Sequence, residues 1–335
     1  PVPVGRKIND NFYLGGAGNV AYQLSKFGSK VTLLSSVGND ESGKKILNLL
    51  KQTNINKKII IKKNKKTTLK KRIFVNGHCV FREDYDSIIE CDFSKINFLS
   101  NLIKQHDLVI ISDYNKGFCT RVSKIIELSN LNNIEVLVDP KTKDLYRYYN
   151  SEGIFPNIQE FKNFFSDKEY QSNKINLLAK KIIKKYKLKF VVITLGSKGS
   201  LYIDLKKIIK TEAITADAID VTGAGDNFIS TFAFFYKSDY KIDDILKYSN
   251  KSGSIAVSNV GLNHVSLCSI DNSLKFRDIN SIVNIRKANK NKKVLLTIGC
   301  FDLVHLGKIN FLKKCKEKSD IVILAINSDE SVRKL

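Results

Sequence analysis

The sequence predicts an α/β fold: a mostly parallel sheet between two layers of helices, with a small β hairpin, followed by a separate βαβ unit. Three observations carry this. Short apolar runs rich in β-branched residues alternate with stretches of helical spacing along most of the chain. Residues 59–84 interrupt that alternation with a hairpin signature. A lysine- and asparagine-rich stretch over residues 269–293 then separates two differently sized parts.

Taken in order, residues 18–27 have helical spacing and lead into a strand at 31–37. In the interrupting segment, residues 68–75 and 79–82 flank Asn76-Gly77-His78, and Asn-Gly between two alternating runs is a strong hairpin signal. It suits either a lid over a ligand site or an ordinary surface hairpin. Helical spacing at 93–104, 121–131 and 175–186 then alternates with strands at 108–112, 135–139 and 190–194. Such alternation gives parallel strands covered on both faces, with ligand-binding groups beyond their carboxyl ends. Asp113, Asp139-Pro140-Lys141 and Gly196 all follow strands directly. Residues 227–236 form a long apolar helical run, and 242–257 a further helix. After the connector come a strand at 293–298, a helix at 306–315 and a strand at 321–326. This βαβ unit of about forty residues is near the lower limit of independent folding. The expected division is a domain over 1–270 with its hairpin segment, which would be the lid, at about 59–84, a linker over 271–291, and a second domain over 292–335.

Composition narrows the function classes. The chain has 335 residues, 43% of them hydrophobic, enough for a packed core, and no run long enough to span a bilayer. Pro1-Val2-Pro3-Val4 has neither the basic start nor the apolar centre of a signal peptide. The six cysteines, at 79, 91, 119, 268, 300 and 315, form no CxxC pair, which argues against a zinc ribbon and for reduced thiols in the cytoplasm. A net charge of +23 points toward nucleic acid, but only eight of the basic residues are arginine. The lysines are diffuse, and aromatic residues are not interleaved for base stacking. A diffuse positive field suits small anions such as sugar phosphates and ATP.

The densest chemical signal is Asp220-Val221-Thr222-Gly223-Ala224-Gly225-Asp226, directly before the apolar helical run. Glycines on a strand-to-helix turn let backbone N–H groups crowd together. With the helix N-terminus, these amides form a site for anionic oxygens. The amides of Gly223, Ala224 and Gly225 are thus a candidate anion hole, and Asp226 a candidate base for an attacking hydroxyl. The plain alternative is a glycine turn with Asp226 as a helix cap.

This segment resembles the C-terminal signature of the ribokinase-like carbohydrate kinases. Gly15-Gly16-Ala17-Gly18-Asn19-Val20-Ala21 resembles their N-terminal sugar motif, and Asn157-Ile158-Gln159-Glu160 their NxxE motif. Within the family, Arg82-Glu83-Asp84, Ser112-Asp113-Tyr114-Asn115-Lys116-Gly117 and Val138-Asp139-Pro140-Lys141 are similar to the bifunctional heptose 7-phosphate kinase/heptose 1-phosphate adenylyltransferases. So is Gly299-Cys300-Phe301-Asp302-Leu303-Val304-His305-Leu306-Gly307, followed by Asn327-Ser328-Asp329.

The resemblance implies a ribokinase-like three-layer sandwich followed by an incomplete Rossmann-like nucleotidyltransferase βαβ unit. It also implies an extra strand before Pro1 and a chain cut at both ends. The implied reaction moves the γ-phosphoryl of ATP to the anomeric hydroxyl of heptose 7-phosphate. Gly15, Gly16, Asn19, Arg82, Asp113, Lys116 and Lys141 are the implied sugar-phosphate contacts. Asn157 and Glu160 would organise Mg²⁺ through water, although the same pair is also a capping box. Thr194, Gly196, Lys198, Gly199, Asn250 and Gly261 would surround ATP; Asn250 also suits a plain helix surface. The lid implies a homodimer.

In the second domain Phe301, Asp302 and His305 match a nucleotidyltransferase turn whose second histidine is replaced by Lys308. A lysine still meets phosphate as a point charge, while His305 alone also suits a helix cap. Adenylyl transfer by this chain is not expected. Two other readings compete: a kinase for a different sugar or sugar phosphate, and a catalytically dead, lysine-rich binding protein. The Asp113 and Lys141 runs argue against the first, and the intact Gly223–Asp226 turn against the second.

Overall fold

The computed structural model describes residues 8–75, 78–93, 98–214, 220–238, 240–258, 261–270, 291–299 and 306–326. It divides into two compact units, Pro1–Asp271 and Asn272–Leu335.

The larger unit begins with α1 (Ala17–Lys26), β1 (Thr32–Gly38), α2 (Glu41–Lys51) and β2 (Asn56–Lys62). β1 and β2 pair in parallel, Thr32 opposite Asn56 through Gly38 opposite Lys62. Residues 59–62 therefore belong to this pair and not to the lid, a correction to the expected lid boundary. The lid is β3 (Leu69–Val75) and β4 (His78–Tyr85), antiparallel with Arg72 opposite Arg82 and an irregularity at Ile73/Phe74. The turn residues Asn76 and Gly77 lie outside the described residues.

Next come α3 (Leu99–Ile103), β5 (Leu108–Ser112), α4 (Ser123–Leu131), β6 (Glu135–Asp139), β7 (Gly153–Ile154) and α5 (Ile158–Asn163). They are followed by α6 (Ile175–Tyr186), β8 (Phe190–Thr194), β9 (Ser200–Asp204) and β10 (Ile208–Thr211). Strands β5 to β10 form one sheet in the order β10-β9-β8-β7-β6-β5. β5 to β8 are mutually parallel, and β9 and β10 add an antiparallel edge. α3 is shorter than its predicted 93–104; residues 94–97 are outside the described set.

Leu137, Val138, Ile154, Val191, Val192 and Ile193 are fully buried. A parallel sheet covered on both faces needs such continuous apolar strands. α6 turns Leu178, Ala179, Ile182, Ile183 and Tyr186 inward at helical spacing. Gly153 sits under the Phe190 ring, where an added Cβ would be 2.2 Å from Phe190 Cε2.

α7 (Ala224–Tyr236) packs against α1 and α8 (Ile242–Val257), and α9 (Leu267–Ile270) follows. Nearly every side chain of α7 is buried, which accounts for its apolar run. No helix among the described residues is long and apolar enough to cross a membrane.

The smaller unit pairs β11 (Val294–Gly299) in parallel with β12 (Ile321–Ile326), joined through α10 (Leu306–Glu317). Parallel strands require such a crossover.

Candidate active site

Gly223 caps the N-terminus of α7 in the left-handed region, at φ 81°. An added Cβ there would stand 2.5 Å from Leu262 Cδ2 and 3.1 Å from Asn19 Nδ2. That turn sets Asp226 three residues into the helix, buried, with its carboxylate facing away from the helix's own backbone. Asp226 Oδ2 accepts from the Asn19 amide at 2.8 Å, and Oδ1 from the Tyr114 hydroxyl at 2.9 Å. Both donors come from other segments, so the carboxylate is not the helix cap that was the plain alternative. Burial pushes the Asp226 carboxyl above the usual range, while Asn19, Tyr114 and Lys141 pull it back. Burial and the neighbouring carboxylates also raise the Tyr114 phenol, so it remains a donor. Ala224 N–H reaches the Val221 carbonyl at 3.4 Å, while at Gly225 an added Cβ would meet nothing within 4 Å.

A second charged group stands beside the first. Lys141 Nζ bridges Asp139 Oδ1 at 3.1 Å and Glu160 Oε1 at 2.8 Å, and lies 5.6 Å over the Tyr114 ring. Glu160 Oε2 accepts from Asn157 N–H at 2.8 Å, and Asn157 Oδ1 from Glu160 N–H at 2.8 Å. The capping box is therefore real and coexists with the ion pair. Burial pushes the Asp139 carboxyl up to about 7, opposed by Lys141 and reinforced by Asp226 and Glu160. Among the described residues, no group of three or more His, Cys, Asp or Glu side chains could hold a metal ion by itself.

These groups open on one cleft of about 2640 Å³, larger than a single small ligand needs. Gly15, Gly16, Arg82, Lys116 and Lys141 line it, as do Asn157, Glu160, Thr194, Gly196, Gly261 and the Gly223–Asp226 turn. Gly16, at φ 52°, lies under the Tyr114 ring, 3.0 Å from where its Cβ would stand. Arg82 pairs with Asp84 at 3.0 Å, and Lys116 with Asp86. Thr194 bridges to Asn157, bringing the β8 end to the start of α5.

Five expected contacts are engaged by other parts of the chain, Asp113 and Gly261 while also lining the cleft. Asn19 is fully buried and its amide donates to Asp226. Asp113, 1% exposed, accepts from Asn115 N–H at 2.7 Å and from the Tyr148 hydroxyl. Asn250, also buried, donates to the Thr211 and Glu212 carbonyls at 3.3 and 3.4 Å and so ties α8 to the end of β10. Gly199 is a turn residue whose Cβ would strike the Thr211 carbonyl at 2.0 Å; neither it nor Lys198 lines the cleft. Gly261 N–H donates to Asp220 Oδ2 at 3.1 Å, while Asp220 Oδ1 holds the Thr222 hydroxyl at 2.6 Å, bracing the turn.

Sequence reasoning assigned no role to Tyr114, Asp139 or His264. Tyr114 and Asp139 sit at strand ends, where ligand-binding groups collect, so a signal existed; His264 carries none. In the smaller unit Lys308 lies near the start of α10, and Phe301, Asp302 and His305 lie outside the described residues.

Comparison with known proteins agrees with this geometry. Residues 1–267 match the pfkB family carbohydrate kinases, and residues 296–335 match the cytidylyltransferase-like family. Bifunctional protein HldE of Campylobacter jejuni is 34% identical over 346 residues, covering 100% of this chain and 73% of the relative. That of Sulfurimonas denitrificans is 34% identical over 360 residues, covering 100% and 74%. In fold, the chain is similar to ribokinase of Thermotoga maritima, with a TM-score of 0.66 at 19% identity, covering 82% of this chain and 91% of that one. Phosphofructokinase-2 of Escherichia coli bound to fructose-6-phosphate gives 0.66 at 20% identity, covering 81% and 91%. The chain belongs to the pfkB family of carbohydrate kinases, a sugar kinase with a cytidylyltransferase-like segment at its C-terminal end.

Proposed function

We propose that this kinase phosphorylates D-glycero-D-manno-heptose 7-phosphate at its anomeric hydroxyl, using ATP, to give heptose 1,7-bisphosphate for ADP-heptose and lipopolysaccharide core synthesis. The observation that carries the phosphoryl transfer is Asp226, buried at the start of α7 and held by donors on both carboxylate oxygens. Asp226 takes the proton of the acceptor hydroxyl as that oxygen bonds to the γ-phosphorus and the bond to the β-phosphate bridging oxygen breaks. The helix N-terminus and the Gly223-Ala224-Gly225 turn face the charge on the transferring group. The Asp113 and Lys141 runs, and relatives 34% identical over the whole chain, support the heptose phosphate as acceptor.

Mg²⁺ fits the second charged group. Two carboxylates, Asp139 and Glu160, share the single ammonium of Lys141, and burial of the remaining charge is what raises Asp139. Asn157 and Glu160 would hold the ion through water, and when bound it neutralises phosphate charge. Arg82, Lys116 and Lys141 supply cations for the sugar phosphate.

The reaction is placed in the cytoplasm. The exposed Ile73, Val75, Val80 and Phe81 of the lid support a homodimer through that hairpin. In the C-terminal segment Phe301, Asp302, His305 and Lys308 are the proposed nucleotide contacts of a heptose 1-phosphate adenylyltransferase.

The test is turnover by the full chain with MgATP and a panel of heptose 7-phosphate, ribose and fructose 6-phosphate. Heptose 7-phosphate should be strongly preferred, and Asp226→Asn should retain ATP binding while losing a factor on the order of 10² or more in turnover. Near-normal turnover in that variant removes Asp226 from the role. Preference for either competitor moves the protein to another branch of the family.

A further inference from the structure

We propose that His264 is a positioning residue for the base, acting through Asn19 to hold Asp226 in its reactive orientation. This rests on Asp226 being the base. His264 Nε2 lies 3.1 Å from Asn19 Oδ1, and Asn19 Nδ2 lies 2.8 Å from Asp226 Oδ2. The chemistry fixes every proton in that row. An ionised carboxylate only accepts, so the Asn19 NH₂ must face Asp226. The Asn19 oxygen then faces His264, and an amide oxygen only accepts, so Nε2 carries the ring proton.

The row is built into the fold. Asn19 is fully buried and one N–H of its amide serves the carboxylate. Gln23, one turn further along α1, donates to the Val265 carbonyl at 2.6 Å and accepts from Val265 N–H at 2.9 Å. Asn227, on α7 next to the base, donates to the Asn263 carbonyl at 3.2 Å. The residues on both sides of His264 are thus pinned to the two helices that carry Asn19 and Asp226. The imidazole itself stands edge-on to the Tyr22 ring, centroids 4.3 Å apart at 78°. Remove its donor, and Asn19 keeps a buried oxygen without a partner or turns that oxygen toward the carboxylate; either loosens Asp226.

The pH behaviour separates this role from packing. The titratable and charged groups around Asp226 are Tyr114 from the loop after β5 and Lys141 from the loop after β6, with Asp139 and Glu160 behind Lys141. Around His264 they are Lys26 and Tyr22, both of α1. Burial and Lys26 lower the His264 imidazolium. Nε2 keeps its proton in both charge states of the ring, so the row persists through that titration. Titration of His264 therefore does not break the bond that holds Asn19.

The experiment compares full-length wild type, His264→Phe and His264→Gln, with Asp226→Asn as the reference. His264→Phe keeps an aromatic ring against Tyr22 and removes the donor; His264→Gln restores a side-chain N–H. The expected result is a fall in kcat of about tenfold or more in His264→Phe, with KM for both substrates within about threefold. The acid limb of kcat should move up by roughly half a pH unit or more as Asp226 loses a donor. His264→Gln should recover most of both. An unchanged kcat and limb in His264→Phe, or a raised KM at constant kcat, overturns the proposal. If Asp226→Asn itself turns over normally, the base assignment has failed instead. Should His264→Phe not fold, nitrogen NMR of the wild-type imidazole decides: a neutral ring protonated at Nε2 is expected, and one protonated at Nδ1 overturns the row.

Discussion

Gly223→Ala is the substitution whose cost can be worked most directly from the structure. At φ 81°, an L-residue meets the Cβ–carbonyl crowding of the left-handed region, about 1–2 kcal/mol. The new methyl would also stand 2.5 Å from Leu262 Cδ2 and 3.1 Å from Asn19 Nδ2. Leu262 is half-buried and can turn; Asn19 is fully buried and cannot. Overpacking of this kind costs about 1–3 kcal/mol, so the sum is about 2–5 kcal/mol. For a unit spanning Pro1–Asp271 that lowers the melting temperature by roughly 4–9 °C. Gly225→Ala, two residues on, is the control. Its Cβ would meet nothing within 4 Å, and its backbone is helical, so alanine should be neutral or stabilising by about 0.5–1 kcal/mol. Thermal unfolding by circular dichroism, with turnover measured on the same samples, reads both. Gly223→Ala should melt lower and lose activity; Gly225→Ala should melt as wild type or higher. Equal melting of Gly223→Ala and wild type, or equal losses in the two variants, would refute the reasoning.

Two further outcomes are expected. Tyr148→Phe leaves a buried Asp113 oxygen without its hydroxyl donor and should destabilise by about 1–3 kcal/mol in urea unfolding; a change below about 0.5 kcal/mol would count against that bond. Burial pushes the Asp139 carboxyl up from its ordinary 3.8 to about 7, so between these pH values the folded chain holds a proton that the unfolded chain releases. Stability should therefore fall as pH rises through that window, and the fall should be shallower in Asp139→Asn; identical pH profiles would exclude Asp139 as the group responsible.

The parallel strands β6 and β8 were legible in the sequence because nearly all their residues are buried, and β5 because Leu108–Ile111 is an apolar run although most of it is only partly buried. β9 and β10 were not: their turn is made by Asp204, which accepts from Lys206 and Lys207 N–H at 2.7 Å, with neither Gly nor Pro to mark it. β2 was read into the lid because its isoleucines could pair with either neighbour, and only the packed fold places them beside β1. At the site, the glycine turn and Asp226 were local signals. The partners of Asp226 were not, because hydrogen bonds between residues 19, 114 and 226 are decided by how helices and strand ends meet. The bond from Asn19 to Asp226 was hidden for the same reason: its chemistry suits a hydroxyl or a carboxylate equally.

The clamp on Asp226 also orders events in time. Its hydrogen bonds span 207 and 112 residues, and the one behind it 245. A chain emerging from the ribosome carries the amide donor first, then the phenol and the carboxylate, and the imidazole arrives only after all three. Contacts so distant along the chain close late in folding. On the proposed roles of Asp226 and His264, phosphoryl transfer starts only when residue 264 has turned back onto α1. Activity would then report that this 245-residue loop has closed.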